Sequence, residues 1–287
     1  MERKPLGNTG ETAAEVGLGT WLYGGDPAVI HMALECGGNL IDTAEGYKTE
    51  DMVGAAMRGN REAYFLATKV SGENLRAADV AKACDSSLKR LGTDVIDLYQ
   101  VHWPNGAIPI AETMEAMARL QREGKIRHVG VSNFSVPQTQ EADAALRAAG
   151  GAGVVANQVL YSLFARDIEH ELIPYCEQNE ITVIAYSPLA QGKLGDELKA
   201  NPAAADALRS VVIETGKTEA QVLLNWCVRS PWVITIPATN KVHRVVEDFA
   251  ASGWYLTDSQ YAALSATTTA VVVDKSSAFR MDPGVPL

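Results

Sequence analysis

Residues 95–102 have the sequence VIDLYQVH, a short and mostly apolar run that ends in a histidine. Runs of this kind are typical of strands that are covered on both faces of a parallel sheet. Seven more occur along the chain: VGLGT (16–20), NLIDT (39–43), AYFLATK (63–69), HVGVSN (128–133), VVANQV (154–159), ITVIAYS (181–187) and WVITIP (232–237). Helix-like segments separate them, with a repeat of roughly 30 to 35 residues, so the sequence predicts an α/β fold of the (β/α)8 type, a TIM barrel.

The starts of several intervening helices can be recognised from their capping residues. Asp26, followed by a proline, opens the first helix, and Asp79 precedes the segment VAKACDSSLKRL. Thr218 and Gln221 have the spacing of a capping box before VLLNWCV. In that motif each of the two side chains bonds the backbone of the other residue, which predicts a helix start at this point.

Two segments lie outside the barrel repeat, which spans residues 16–250. Residues 1–15 predict a β-hairpin with its turn at residues 7–10, which would plug the N-terminal end of the barrel. Residues 251–287 contain an extra helix at LTDSQYAALSA (256–266) and a tail, 267–287, that either folds over the barrel mouth or stays disordered. No low-complexity linker separates these parts, so we predict a single domain over residues 1–287.

Composition excludes several classes of function. The 25 basic and 35 acidic residues give a net charge of −10, which argues against nucleic acid or an anionic membrane as the partner. The N-terminal residues MERKPLGNTGE lack the apolar core of a signal peptide, and no stretch approaches the ~18 apolar residues of a membrane helix. The four cysteines show no metal-binding spacing and are expected to be reduced, which predicts a cytoplasmic protein without a metal site. A monomer is the default expectation.

Four titratable residues follow three neighbouring strands of the predicted barrel. Asp42, Lys69 and His102 end the second, third and fourth strands, and Tyr47 lies on the loop after the second. Active sites of such barrels lie at the C-terminal ends of the strands, so all four side chains are expected at one mouth. An acid, an amine, an imidazole and a phenol together are suited to proton transfer to or from an oxygen atom.

At these residues the chain resembles the aldo-keto reductase family. The resemblance covers essentially the whole chain and rests on GLGTW, IDTAEGY, ATKV, DLYQVHWP, GKIRHVGVSNF, NQVLYS, AYSPLAQGKL and VITIPATN, all present in the family's order. It implies an oxidoreductase that reduces an aldehyde or ketone to an alcohol with hydride from NADPH. Two alternatives stay open: an NAD-dependent aldose or sugar dehydrogenase, and a nicotinamide-sensing regulatory subunit.

The resemblance also assigns catalytic roles. Tyr47 would be the general acid, and Lys69 would lower its pKa so that it donates a proton more readily. Asp42 would hold Lys69 in its charged form, and His102 would position the carbonyl oxygen by a hydrogen bond.

By the same resemblance NADPH would lie extended across the barrel mouth, since the chain has no GxGxxG after a strand. Ser132, Asn133 and Gln158 would hold the carboxamide, and the ring of Tyr186 would stack on the nicotinamide. Ser187, Leu189, Gln191 and Lys193 would wrap the pyrophosphate. The remaining predicted cofactor residues are Thr20, Trp21, Thr239, Asn240, Arg244, Glu247 and Asp248.

The expected preference for NADPH depends on the segment after the eighth strand. Arg244 is the best candidate for the 2′-phosphate, whereas Ala238 stands where NADPH-preferring members carry a base, so NADH is also possible. The substrate pocket is predicted to have an aromatic wall of Trp21, Tyr23 and Trp103, and the short loop PNGAIPI predicts an open mouth and broad specificity.

Overall fold

The structure, a computed structural model, describes residues 1–269. Eight parallel strands form one sheet in the order of the chain, as the sequence predicts. They are β3 (Leu18–Gly19), β4 (Leu40–Asp42), β5 (Phe65–Val70), β6 (Ile96–Val101), β7 (Ile126–Ser132), β8 (Val154–Leu160), β9 (Thr182–Tyr186) and β10 (Val233–Ile236). Together with the helices outside them, these strands make the predicted (β/α)8 barrel.

Eleven α-helices are present in residues 1–269. They are α1 (Pro27–Glu35), α2 (Glu50–Met57), α3 (Ala77–Leu91), α4 (Ile110–Arg122), α5 (Val136–Ala148), α6 (Leu172–Gln178), α7 (Leu194–Ala200), α8 (Pro202–Thr215), α9 (Glu219–Cys227), α10 (Val242–Phe249) and α11 (Asp258–Ser265). The extra helix predicted near residue 260 is α11. Most of the predicted tail, from residue 270 onward, lies outside the described residues. None of the helices described is long and apolar enough to cross a membrane.

Helix starts follow the capping pattern in two of the three places considered. Asp26 caps α1 through the backbone N–H of Ala28, and Thr218 caps α9 in a complete capping box. The third prediction is wrong by one turn, because α3 begins at Ala77, before Asp79. Asp79 lies instead in the first turn of α3, where its negative charge is favoured by the helix dipole.

The barrel closes between its first and last strands over very few residues. Isolated parallel bridges join Val16 to Thr235 and Gly19 to Ala238. A Cβ atom on Gly19 would lie 2.8 Å from the carbonyl oxygen of Ile236, so this approach of the two backbones requires glycine.

The predicted N-terminal hairpin covers the end of the barrel at which the strands begin. Its strands β1 (Arg3–Pro5) and β2 (Thr12–Ala14) pair antiparallel. Thr182, the first residue of β9, accepts a hydrogen bond from the N–H of Gly7 and donates one to the carbonyl of Pro5, both at 2.8 Å. Leu6 is buried in the cluster that fills the barrel interior, so the hairpin leaves the mouth at the C-terminal strand ends as the open end.

Candidate active site

The four titratable residues predicted from the sequence meet at the barrel mouth. Asp42 is the last residue of β4, Lys69 is the next-to-last residue of β5, and His102 directly follows β6. Tyr47 ends a single 3₁₀ turn, Glu45–Tyr47, after β4. Because the three strands are parallel neighbours, their C-terminal ends bring these side chains together.

Asp42 and Lys69 form a fully buried ion pair below Tyr47. The ammonium of Lys69 donates to Asp42 Oδ2 at 2.6 Å, to the carbonyl of Thr43 at 2.8 Å and to the hydroxyl of Tyr47 at 3.4 Å. Burial lowers the pKa of Lys69, and the negative charge of Asp42 opposes this shift. Three acceptors use all three ammonium hydrogens, so Lys69 is held in one orientation toward the phenol.

The expected lowering of the Tyr47 pKa by Lys69 is wrong for this site. Burial raises the pKa of Tyr47 well above its usual value, and the charge of Asp42 raises it further. The physical reason is that removal of the phenol from water and the negative charge of Asp42, which lies 2.6 Å from the Lys69 ammonium, together outweigh the stabilisation of the phenolate by Lys69. Tyr47 therefore keeps its proton at neutral pH, and it is the protonated form that a general acid needs.

His102 presents a neutral imidazole beside Tyr47. The two ring centroids are 5.5 Å apart in an edge-on arrangement. Burial lowers the pKa of His102 to about 2, and the positive charge of Lys69 adds to the shift. The buried Nδ1 atom has no hydrogen-bond partner among residues 1–269. A neutral imidazole at the wall of the cavity has one N–H to offer to a carbonyl oxygen.

Two buried amides support the other oxygen of Asp42. Gln158 Nε2 donates to Asp42 Oδ1 at 2.8 Å, and Gln100 Nε2 donates to the same oxygen at 3.3 Å. Gln100 is not among the predicted site residues, although it lies on β6 two positions before His102, so the two side chains project to the same side. Gly130 leaves room for it, since a Cβ there would lie 3.0 Å from Gln100 Cγ.

A cavity of about 560 Å³ opens at the mouth above these groups. Asp42, Tyr47 and His102 form part of its wall. Most of the predicted cofactor residues also line it: Thr20, Trp21, Ser132, Asn133, Gln158, Tyr186, Ser187, Leu189, Gln191, Lys193, Thr239 and Asn240. The segments predicted to hold the nicotinamide and the pyrophosphate therefore border the same space as the proton-transfer residues.

Asn133 organises the region predicted to hold the nicotinamide. It adopts a left-handed backbone conformation with φ of 62°, which asparagine tolerates better than most residues. Its Nδ2 donates to the carbonyl of His102 and to Ser132 Oγ, both at 3.0 Å, and its Oδ1 accepts from the hydroxyl of Tyr186 at 3.0 Å. The ring of Tyr186 is thereby fixed at the cavity wall, an arrangement that fits an aromatic ring stacked against it.

The loop after β9 has the backbone expected of an anion cradle. Ser187, Ala190 and Gln191 all adopt φ between 54° and 55°. Such strained positions in non-glycine residues concentrate at functional sites, and left-handed backbone can turn successive N–H groups toward an anion. With the exposed ammonium of Lys193 beside it, this loop fits a pyrophosphate.

Among the residues predicted at the adenosine end, Thr239 and Asn240 line the cavity, whereas Arg244, Glu247 and Asp248 do not. Arg244 and Glu247 form an ion pair on the exposed side of α10. Asp248 is buried, and burial raises its pKa to about 7. Asn240 is already engaged, because its side chain accepts from the N–H of Gly24 at 2.7 Å and donates to the carbonyl of Leu22 at 2.8 Å.

The three predicted substrate aromatics are placed differently. Trp21 lines the cavity and meets Tyr47 edge to face, with ring centroids 4.9 Å apart. Trp103 lies beside the ring of His102, with centroids 4.7 Å apart. Neither Trp103 nor the buried Tyr23 is among the described residues that line the cavity.

Comparisons with known proteins identify the family of the chain. The model of the aldo/keto reductase family matches residues 15–268. The chain is 37% identical to methylglyoxal reductase YeaE of Escherichia coli over 276 residues, which is 92% of this chain and 94% of that protein. It is 36% identical to the NADH-specific methylglyoxal reductase of Escherichia coli over 68% of this chain and 69% of that protein.

A solved structure shows the same architecture. The crystal structure of an aldo-keto reductase from Klebsiella pneumoniae in complex with NADPH matches with a TM-score of 0.85 and 36% sequence identity. The match covers 95% of this chain and 98% of that one.

Proposed function

This chain belongs to the aldo/keto reductase family, and on that premise we propose that Tyr47 is the general acid with which it reduces an aldehyde or ketone to an alcohol. The observation that carries the proposal is the contact of Lys69 with both Asp42 and the Tyr47 hydroxyl below an open cavity. A nicotinamide cofactor supplies the hydride when it is bound.

The proposed roles follow from the state of each side chain. His102, as a neutral donor, and Tyr47, as a protonated phenol, would both approach the carbonyl oxygen at the mouth. As negative charge develops on that oxygen, it becomes a stronger base than a phenolate, so the proton passes from Tyr47 to it. Lys69 lies 3.4 Å from the phenol oxygen and stabilises the phenolate that is left, while Asp42 keeps Lys69 oriented.

We further propose that the cofactor is NADPH, with NADH also accepted. Ser132, Asn133 and Gln158 would hold the carboxamide, and Tyr186 would stack on the ring. Support comes from the NADPH complex of the Klebsiella pneumoniae relative and from the NADH-specific relative of Escherichia coli. At the adenosine end, Arg244 is shared with Glu247, so its charge is partly compensated before any 2′-phosphate arrives.

Small 2-oxoaldehydes are the proposed substrate class. Relatives named as methylglyoxal or glyoxal reductases support this class, and the substrate end of the cavity between Trp21, Tyr47 and His102 is aromatic and uncharged. We also propose a cytoplasmic monomer, which size-exclusion chromatography and cell fractionation would test.

The test compares Tyr47→Phe with wild type by following NADPH consumption with methylglyoxal, a ketone and an aldose. We expect kcat to fall by roughly 10²- to 10⁴-fold, as is usual for loss of a general acid, with NADPH affinity nearly unchanged. Tyr99→Phe is the matched control. Tyr99 is buried in β6, and its hydroxyl has no partner among residues 1–269. Full activity of Tyr47→Phe would refute the assignment of the acid. Activity with only NAD and a sugar would favour the dehydrogenase alternative.

A further inference from the structure

Three buried threonine hydroxyls form a connected group beside Tyr47, which we call the threonine clip. It consists of Thr20 after β3, Thr43 after β4 and Thr49 directly before α2. The Thr43 and Thr49 hydroxyl oxygens are 3.0 Å apart, and those of Thr20 and Thr49 are 3.4 Å apart. All three residues are buried, so each contact is shielded from water.

The hydrogens of the clip can be assigned from its acceptors. Thr20 donates to the carbonyl oxygen of Asp42 at 2.9 Å, so its single hydroxyl hydrogen is used there. The contact between Thr49 and Thr20 then requires Thr49 to donate. By the same reasoning Thr43 donates to Thr49. Each hydroxyl therefore donates once, in one direction, and such chains of hydrogen bonds strengthen one another.

Thr49 does not make the hydrogen bond that a threonine directly before a helix usually makes. Threonine at this position normally accepts a hydrogen bond from the first turn of the helix. Thr218 and Thr257 do so in this chain, accepting from the N–H groups of Gln221 and Gln260 at 3.3 and 3.2 Å. Thr49 makes no such bond to α2. Its hydroxyl is bonded within the threonine clip instead, so this side chain contributes to the clip and does not cap α2.

The clip joins the two ends of the loop that carries Tyr47. Thr43 and Thr49 are the first and last residues of this loop, and the carbonyl of Thr43 also accepts from Lys69 at 2.8 Å. Lys48, next to Tyr47, adopts φ of 58°, a conformation that costs free energy for a residue with a Cβ. A strained residue in a short loop needs such a tie to keep one conformation.

We propose that Thr49 is a positioning residue, which holds the Tyr47 hydroxyl within reach of Lys69 by closing the loop through the threonine clip. The proposal rests on the proposed function of Tyr47 as the acid. Thr49 itself does not line the cavity, although its hydroxyl contacts Thr20, which does. It acts on the reaction through the loop, so its loss should slow the chemical step without weakening the binding of NADPH.

Thr49→Val tests this proposal, since it removes the hydroxyl and keeps the branched shape. We expect kcat with methylglyoxal to fall roughly tenfold or more, because displacements of about 1 Å at a reacting group have effects of this order. The dissociation constant of NADPH should change less than about twofold, and the primary isotope effect with 4-deuterated NADPH should increase. Thr49→Ser restores the hydroxyl and should recover most of kcat.

Thr113→Val is the matched control. Thr113 is buried in α4 and donates a single hydrogen bond to the carbonyl of Leu75 at 2.8 Å, and neither residue lines the cavity. The Thr113→Val variant should lose about as much stability as Thr49→Val but should keep the wild-type kcat and isotope effect. If Thr49→Val is recovered unfolded, Thr49→Ala, which adds no methyl group to the cluster, carries the same expectation.

Two results would overturn the proposal. One is a Thr49→Val enzyme with wild-type kcat, and the other is a loss of kcat that Thr49→Ser does not recover. Failure of the underlying function is separately visible, because Tyr47→Phe would then keep its activity whatever Thr49 variants do.

Discussion

At the scale of the residue, His102 shows how burial sets a charge state that affects both catalysis and stability. Its pKa is lowered from 6.5 to about 2, so the folded protein holds it neutral while the unfolded chain protonates it below about pH 6.5. The unfolded state then binds the extra proton, so the free energy of unfolding decreases as the pH falls from 6.5 toward 2. The stabilising effect of the neutral imidazole is complete only above pH 6.5.

His102→Gln removes this titration and keeps a polar side chain of similar size. Relative to the variant, wild type should lose about 1.4 kcal/mol of unfolding free energy per pH unit below about pH 6. Urea unfolding of both proteins between about pH 7.5 and pH 5 measures the difference, in which the other histidines cancel. Parallel pH dependence of the two proteins would show that His102 has the same pKa in the folded and unfolded states, contrary to this prediction.

The sequence could place the reacting residues but not their electrostatics. Asp42, Lys69 and His102 were predictable because each ends a recognisable strand. The pKa of Tyr47 was not, since it depends on the 2.6 Å contact that compensates Lys69 and on the exclusion of water. Gln100 had a usable signal, a polar residue two positions before His102 in an otherwise apolar strand.

At the scale of the element, the two ends of β6 have different roles, one in the reaction and the other in stability. His102 follows its upper end, at the mouth, and Asp97 lies at its lower end. Asp97 is buried and accepts from Arg61 at 2.7 Å, from Arg127 at 2.8 Å and from the N–H of Leu66 at 2.8 Å. Polar residues at the lower end of barrel strands commonly serve stability, and the contacts of Asp97 fit that role.

Asp97→Ala leaves two guanidinium groups and a backbone N–H without their shared acceptor. We expect the free energy of unfolding to fall by about 3 kcal/mol, the usual order for removing one partner of a buried ion pair. Asp206→Ala, which removes an exposed partner of Arg209 in α8, should cost under about 1 kcal/mol. Urea denaturation measures both, and kcat of folded Asp97→Ala should equal that of wild type. A large loss of kcat would contradict the separation along β6.

At the scale of the whole molecule, the sequence predicted the order of the eight strands but not how the barrel closes. The first strand is reduced to Leu18–Gly19, and the close contact of Gly19 with Ile236 depends on the packing of two segments far apart in the chain. Of the three helices α7–α9 between β9 and β10, only α9 was indicated by the sequence, through its capping box, since a simple alternation of strands and helices predicts one helix there.

This weak closure predicts where the barrel opens first. Above the bridges, the side chain of Asn240 spans the seam by binding the backbone of Leu22 and Gly24, on the loop that carries Trp21. Asn240→Ala removes both bonds, so amide hydrogens at residues 18–24 and 236–241 should exchange faster, while those of β5 to β8 keep wild-type rates. Hydrogen exchange with peptide mass analysis measures this, with Asn179→Ala, which loses one exposed bond to Tyr175, as the control. Uniformly faster exchange would mean that Asn240 stabilises the molecule globally, whereas unchanged exchange at the seam would show that the backbone bridges alone hold the mouth closed.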